Sequence, residues 1–349
     1  LYESKSRVRL SENAYQNNGN LQAIPMQRTF EALRDFLSII NSFNVNKILC
    51  VATSALRDAT NKKEFLSLVK SKLKLDIKII NGEKEAYLGA MACANLLPQQ
   101  SNALSIDIGG GSTEFSVINE DNIKTSFSLE LGTVRLKELF FDNNAIDDAI
   151  IYIDNKLSIL DNLKPDTLIG IGGTFRSISN SIMIKQNYPL NKIHGFECLA
   201  QYFIDFIDNI LDADENTLYS LGIKKSRFDV IKPGALILQR VFKKLSIINT
   251  ITSGVGVREG VYLADLLRNS KDKFPHNYNT SVRYILDAHT SDATYSNQLT
   301  LISKRLFDLT FEYMNIDSKF RYDLAVASKL YPSGRSIHFF SQNRHTYYL

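Results

Sequence analysis

Three consecutive glycines, Gly109, Gly110 and Gly111, interrupt "SIDIGGGSTEF" (residues 105–115), between two stretches that both read as β-strands. Glycine gives a strand no side chain to pack, so three together mark a turn. The following "TEFSVIN" alternates polar and apolar residues, the period of a strand and not of a helix. A glycine turn between two strands exposes backbone N–H groups with no Cβ in the way, and such a concavity binds anions, phosphate above all. Ser112 and Thr113 add hydroxyls at its tip. A Walker loop needs Lys-Ser/Thr and then a helix, and a dinucleotide fingerprint also needs a helix after its glycines; neither is present. Asp107 before the turn and Glu114 after it are placed to face the same space. Carboxylates beside bound phosphate repel it unless a cation lies between, and Mg2+ with retained waters is the usual one. The plainer alternative is a tight hairpin whose glycines serve only to permit positive φ.

Strand and helix patterns alternate around this turn. A short strand is expected over residues 6–10, then a helix near Pro25 with Phe30, Leu33, Leu37 and Ile40 on one face. "KILCVATS" (47–54) and "DIKII" (76–80) read as buried strands. Asn61 with Glu64 makes a capping pattern for one helix, and Asn81 for the helix "EKEAYLGAMACANLL". A polar break at Pro98–Asn102 gives the first boundary. Beyond it come strands at 103–108, 113–119 and in "IKTSFSLEL", helices over 133–141 and 145–161, and a helix-rich stretch over about 196–246. "DTLIGIGGTFRSISNSI" and "IINTITSGVGVREGVYLADLL" each read as strand, glycine turn and helix. From about 272 only helical patterns remain. The order predicts an α/β fold with three parts: 1–98, 99–270 and a helical 271–349.

Composition removes several classes. With 349 residues, 44% hydrophobic and 22% charged, the chain is an ordinary globular one of two or three domains. No apolar run approaches the ~20 residues that cross a bilayer. Cys50, Cys93 and Cys198 lack ligand-like spacing and are expected as reduced cysteines of a cytoplasmic protein. The net charge of +4 permits an anionic ligand without demanding one, and no arginine-rich, aromatic-interleaved patch suggests nucleic acid. The chain opens on Leu1 with no signal peptide, so an internal start is expected.

Hydrolysis of a phosphate ester or anhydride needs a water and a group that orients or deprotonates it. Glu83 and Glu85 start the helix after the strand at 76–80; either could serve, or both could simply favour the helix dipole. Arg57, after the strand at 47–54, could clamp a phosphate with its fork of donors or pair with Asp58. Gly172, Gly173 and Thr174 in "GIGGTF", and Arg258 in "SGVGVREG", stand at strand-to-helix turns that favour anions or a nucleotide edge.

Together "VATSALRDATN", "IINGEKEA", "SIDIGGGSTEF", "LELGTVRL", "LIGIGGTFRSIS" and "ITSGVGVREGV" resemble the exopolyphosphatase/guanosine pentaphosphatase family of the actin–Hsp70–sugar kinase superfamily, in order over residues 6–268. The resemblance implies two actin-like lobes, each with a five-stranded mixed sheet, and a cleft between them. It implies Mg2+-dependent release of phosphate from polyphosphate or guanosine pentaphosphate. By motif, Glu85 matches the catalytic base, Asp107 and Glu114 the acids at the metal, Gly109–Thr113 a phosphate loop, and Arg57 an arginine of the substrate channel. The family's first phosphate loop, resembling "DIGSNS", has no counterpart here. "YSNQLTLISKRLFDLT" and "ASKLYPSGRSI" resemble an HD-type helical domain, ending within it at "HTYYL". Tyr295 and Tyr331-Pro332 replace its metal-binding His and His-Asp, so no HD chemistry is expected there, but dimerisation or substrate binding. Two other functions fit the same residues: a sensor that binds guanosine penta- or tetraphosphate without cleaving it, and an ATP-dependent phosphotransferase.

Overall fold

The computed structural model describes residues 3–120, 122–275, 278–290 and 293–349. They divide into two compact units, Leu1–Lys273 and Phe274–Leu349, so residues 1–98 and 99–270 share one unit.

The first unit opens irregularly. No strand forms over residues 6–10, because no neighbouring strand among the described residues offers that segment a ladder. Helix α1 (Ala23–Ser42) carries Pro25 in its first turn, where a missing N–H costs nothing. Its Phe30, Leu33 and Leu37 pack on Leu56, Phe65 and Val69 in a small core. Strand β1 is only Val51–Ala52, followed by α2 (Ser54–Arg57) and α3 (Lys62–Leu73). Asn61 does not cap α3 as expected. Its side chain instead accepts from the Leu21 N–H at 2.9 Å and donates to the Leu21 carbonyl at 3.0 Å, tying α3 to the approach of α1. Strand β2 (Lys78–Ile79) pairs in parallel with β1. Helix α4 (Gly82–Leu96) follows, with Asn81 accepting from the Lys84 N–H at 2.8 Å as its cap.

The second part of this unit carries a mixed six-stranded sheet in the order β5-β4-β3-β6-β8-β7. In chain order its elements are β3 (Ala103–Ile108), β4 (Thr113–Asn119), β5 (Asn122–Leu129), α5 (Thr133–Leu139) and α6 (Ile146–Leu157). Then come β6 (Thr167–Ile171), α7 (Gly172–Lys185), β7 (Phe196–Leu199), α8 (Ala200–Asp212) and α9 (Glu215–Ser220). Helix α10 (Phe228–Lys244), β8 (Asn249–Thr252) and α11 (Val257–Leu266) close the unit. Five strands were expected in each sheet; six and two are found among the described residues. The extra strand, β7, lies at the start of the stretch read as helix-rich; four residues carry little pattern, and its antiparallel ladder to β8 decides its state.

Side-chain alternation along the strands assigns two faces. Leu104, Ile106, Phe115 and Leu168 enter the main core with Phe175, Phe203 and Leu236. Ala103, Ile118, Ile169 and Ile171 turn the other way, onto Ala90 and Cys93 of α4. Asp107 and Glu114 have the parity of Ala103 and Ile118, so both lie on the face that α4 covers.

The second unit contains α12 (Thr280–His289), α13 (Ala293–Thr310), α14 (Phe320–Leu330) and α15 (Gln342–Tyr348), with no strand among its described residues. Tyr295 and Pro332 line one cavity of about 450 Å3 with His289 and Arg335. The three cysteines are free, and no helix among the described residues is long and apolar enough to cross a membrane.

Candidate functional site

The turn between β3 and β4 closes with the Gly109 N–H donating to the Ser112 carbonyl at 2.9 Å. None of its three glycines has a left-handed φ; the glycines that do are Gly19, Gly172, Gly195 and Gly222. The purely conformational explanation of the triplet is thereby excluded. Space explains it instead at the tip, where a Cβ on Gly111 would fall 2.0 Å from the Tyr15 hydroxyl and 3.1 Å from Ser54 Oγ.

The carbonyls of the three glycines face the start of α5. Gly109 O accepts from the Thr133 N–H at 2.9 Å, Gly110 O from the Val134 and Arg135 N–H groups at 2.8 and 3.0 Å, and Gly111 O from Arg135 Nε at 2.8 Å. In a planar trans peptide the carbonyl and the next residue's N–H point in opposite directions. The N–H groups of Gly110, Gly111 and Ser112 therefore point away from α5, and no acceptor among the described residues meets them. Three consecutive open donors on one side of a turn are available to an oxyanion.

Acids stand beside them. Asp107 and Glu114 are direct partners across the β3–β4 ladder, a placement that brings like charges together at a cost. Burial pushes the Asp107 carboxyl up to about 6, with the Glu85 charge adding to it. Burial also raises Glu114, to about 8, and the Glu85 and Asp107 charges add to that, against the Ser112 and Ser128 hydroxyls that donate to its Oε1 at 2.5 and 2.8 Å. Glu85, in the first turn of α4, is 7% exposed; burial raises its pKa and the Arg57 guanidinium opposes the rise. Arg57 Nη1 meets Glu85 Oε2 at 2.8 Å, and its Nη2 donates to Ser112 Oγ at 3.3 Å. It also faces Asp58 at 3.6 Å, the pairing considered for it beside a phosphate clamp. Glu83 lies exposed in solvent.

The family model for Ppx/GppA phosphatases matches residues 1–269. This chain belongs to the Ppx/GppA phosphatase family. A bifunctional 3-dehydroquinate synthase/phosphatase of Fusobacterium nucleatum is 32% identical over 259 residues, 69% of this chain and 38% of that protein. The chain thus spans less than half of that relative's length. A guanosine-5'-triphosphate,3'-diphosphate pyrophosphatase of Photobacterium profundum is 26% identical across 100% of the chain and 70% of its own length. Among solved structures, the Aquifex aeolicus Ppx/GppA family member superposes with a TM-score of 0.62 at 26% identity, over 75% of this chain and 87% of that one. An exopolyphosphatase of Cytophaga hutchinsonii gives 0.71 at 23% identity, over 78% and 91%, a likeness of fold.

In this Ppx/GppA chain the second glycine turn also borders the acids. Gly172 has φ +81°, and a Cβ there would fall 2.4 Å from Asp107 Oδ1. Gly173 lies against the Arg227 guanidinium, and Thr174 is buried against Gly234. Arg258 is not brought to this cluster by any contact among the described residues; it is exposed and pairs with Glu3 and Glu259 at 2.8 and 2.6 Å. Sequence reasoning missed Arg135, Tyr15 and Ser128. Arg135 stands within the quoted motif "LELGTVRL", two residues after the start of α5, so its place was visible although its partner was not.

Among the described residues no three Asp, Glu, His or Cys side chains form a ready metal cluster. Hydrated Mg2+ needs only one or two carboxylates, with water and phosphate oxygens completing its shell. Asp107 and Glu114 supply that number, and no donor among the described residues reaches Glu114 Oε2. The mutual repulsion of these acids is what a cation would relieve, so the residues fit the ion.

Proposed function

We propose that this chain removes the terminal phosphoryl group of inorganic polyphosphate or guanosine pentaphosphate by hydrolysis, with Mg2+ as cofactor. The amides of Gly110, Gly111 and Ser112 hold the phosphoryl oxygens and Gly109 shapes the turn; the two hydroxyls expected at the tip are spent within the fold, Ser112 Oγ donating to Glu114 at 2.5 Å and the buried Thr113 Oγ1 to the Leu131 carbonyl at 2.6 Å. Asp107 and Glu114 hold Mg2+, which when bound offsets charge on the phosphate oxygens. Glu85 takes a proton from water as the new O–P bond forms and the bridging P–O bond breaks, leaving orthophosphate and a chain shorter by one phosphate. Arg57 counters the burial that would otherwise protonate Glu85, and so keeps it a base. The Gly172–Gly173–Thr174 turn, which borders Asp107, is assigned to the substrate cleft next to the metal and terminal phosphate, and Arg258 to its more distant part. Two actin-like lobes with an intervening cleft, an HD-like helical unit serving dimerisation, and a cytoplasmic location complete the proposal.

The single observation that carries it is the row of three open amides beside the Asp107–Glu114 pair, within a family of phosphatases. The experiment measures phosphate release from polyphosphate and from guanosine pentaphosphate, with Mg2+ and with EDTA. Release is expected only with Mg2+. Glu85→Gln is expected to lower kcat by about 10^2–10^4 while substrate still binds, since the phosphate donors remain. Equal turnover in that variant, or ATP-driven phosphorylation of an acceptor without phosphate release, overturns the proposal.

A further inference from the structure

Of the contacts that orient the glycine turn, those from Thr133 and Val134 are backbone bonds that many residues could supply at those positions. The bond to Gly111 O is different, because it comes from the Arg135 side chain. That guanidinium is held on two further sides. Its Nη2 donates to Asp58 Oδ2 at 2.9 Å, and its Cζ lies 4.5 Å from the centroid of the Tyr15 ring. The side chain is only 13% exposed. Asp58 in turn faces Arg57, the residue bonded to Glu85.

Tyr15 is fixed by the same helix. Buried Glu138 of α5 accepts the Asn13 and Tyr15 N–H groups at 2.7 and 3.0 Å, while its own carbonyl accepts from Gln16 at 3.1 Å. A Cβ on Gly132 would fall 2.3 Å from Gly110 O, so glycine there lets α5 approach the turn this closely.

The geometry points to Arg135 as a positioning residue: by holding Gly111 O, it aims the Ser112 N–H of the same peptide plane at the phosphoryl group, and by holding Asp58 it keeps that donor in register with Arg57 and Glu85. The assignment rests on the turn being the phosphate site. Lysine is a poor substitute, because one ammonium cannot reproduce a planar fork that bonds two acceptors and stacks on an aromatic ring. A misaimed donor acts on the charge that develops in the transition state, so the loss falls on kcat more than on KM.

The test compares the full chain with Arg135→Ala and Arg135→Lys, by steady-state phosphate release and by amide hydrogen exchange. For Arg135→Ala, kcat is expected to fall by about 10- to 100-fold, somewhat less than deletion of an oxyanion donor costs, with KM changed less than about threefold. Arg135→Lys falls in between, and added guanidinium ion restores part of the Arg135→Ala rate. Exchange at residues 105–116 accelerates in both variants while peptides of β6 keep wild-type protection. Unchanged kcat and unchanged exchange in the turn overturn the assignment. So does protection lost evenly over the fold in Arg135→Lys, which indicates general destabilisation. If the wild-type chain releases no phosphate from either substrate, the hydrolase proposal fails, and the exchange data alone still decide whether Arg135 orders the turn.

Discussion

At the scale of single residues, burial separates the two glutamates that begin α4. A helix dipole favours an acid in the first turn without hiding it, and Glu83 is exposed as that explanation requires. Glu85 is buried beside an arginine, and Asp107 and Glu114 are raised first by burial and then by the Glu85 charge, with Asp107 adding to the rise of Glu114, which is costly for structure alone. A carboxyl whose folded pKa exceeds its unfolded value binds more protons in the native state, so stability falls as pH rises between the two values. The window runs from 4.5 to about 8 for Glu114 and from 3.8 to about 6 for Asp107. In EDTA the Tm is therefore expected to decline across pH 4.5–8. Glu114→Gln, neutral throughout, flattens that decline, and Mg2+ at pH 8 raises the wild-type Tm. A slope in the variant as steep as in the wild type contradicts this account of the acids.

At the scale of elements, α4 is the part that must be held still, because it carries Glu85. A Cβ on Gly260 of α11 would fall 2.1 Å from the Leu88 carbonyl of α4, so the two helices touch backbone to backbone. Gly260→Ala is expected to destabilise the protein by about 1–3 kcal/mol, the usual cost of overpacking, visible as a lower midpoint in urea. A midpoint at or above that of the wild type contradicts the close contact. The elements most legible in the sequence were those with sustained periodicity. The helix from 82, with its Asn81 cap, and the strands at 103–108 and 113–119 follow their patterns closely. Where a state depends on a partner, the pattern failed: residues 6–10 have the composition of a strand but no ladder, and Phe196–Leu199 is a strand only because β8 lies alongside. The site divides in the same way. Asp107, Glu114 and the glycines announce themselves by their spacing, whereas Arg135 and Tyr15 matter through contacts across long sequence separations that no local pattern encodes.

At the scale of the whole molecule, the two compact units differ in how they are held together. Among the described residues, the three apolar cores all lie within the first unit. In the second, Phe307 and Ala325 are the buried hydrophobic residues among those described, while Leu301, Leu309, Phe339 and Phe340 are exposed. Stability follows buried apolar contact, so amides of 274–349 are expected to exchange faster than those of β3, β4 and β6. Calorimetry should then resolve a weaker transition before the main one. A single transition, with equal protection in both units, contradicts the difference.

The division of labour at the glycine turn also bears on protein engineering. Grafting "SIDIGGGSTEF" alone onto another β-hairpin would transplant the donors without what aims them, and the peptide planes would be free to rotate. A working transplant needs the counterpart of Gly132–Arg135 as well, two segments distant in the chain that function as one part.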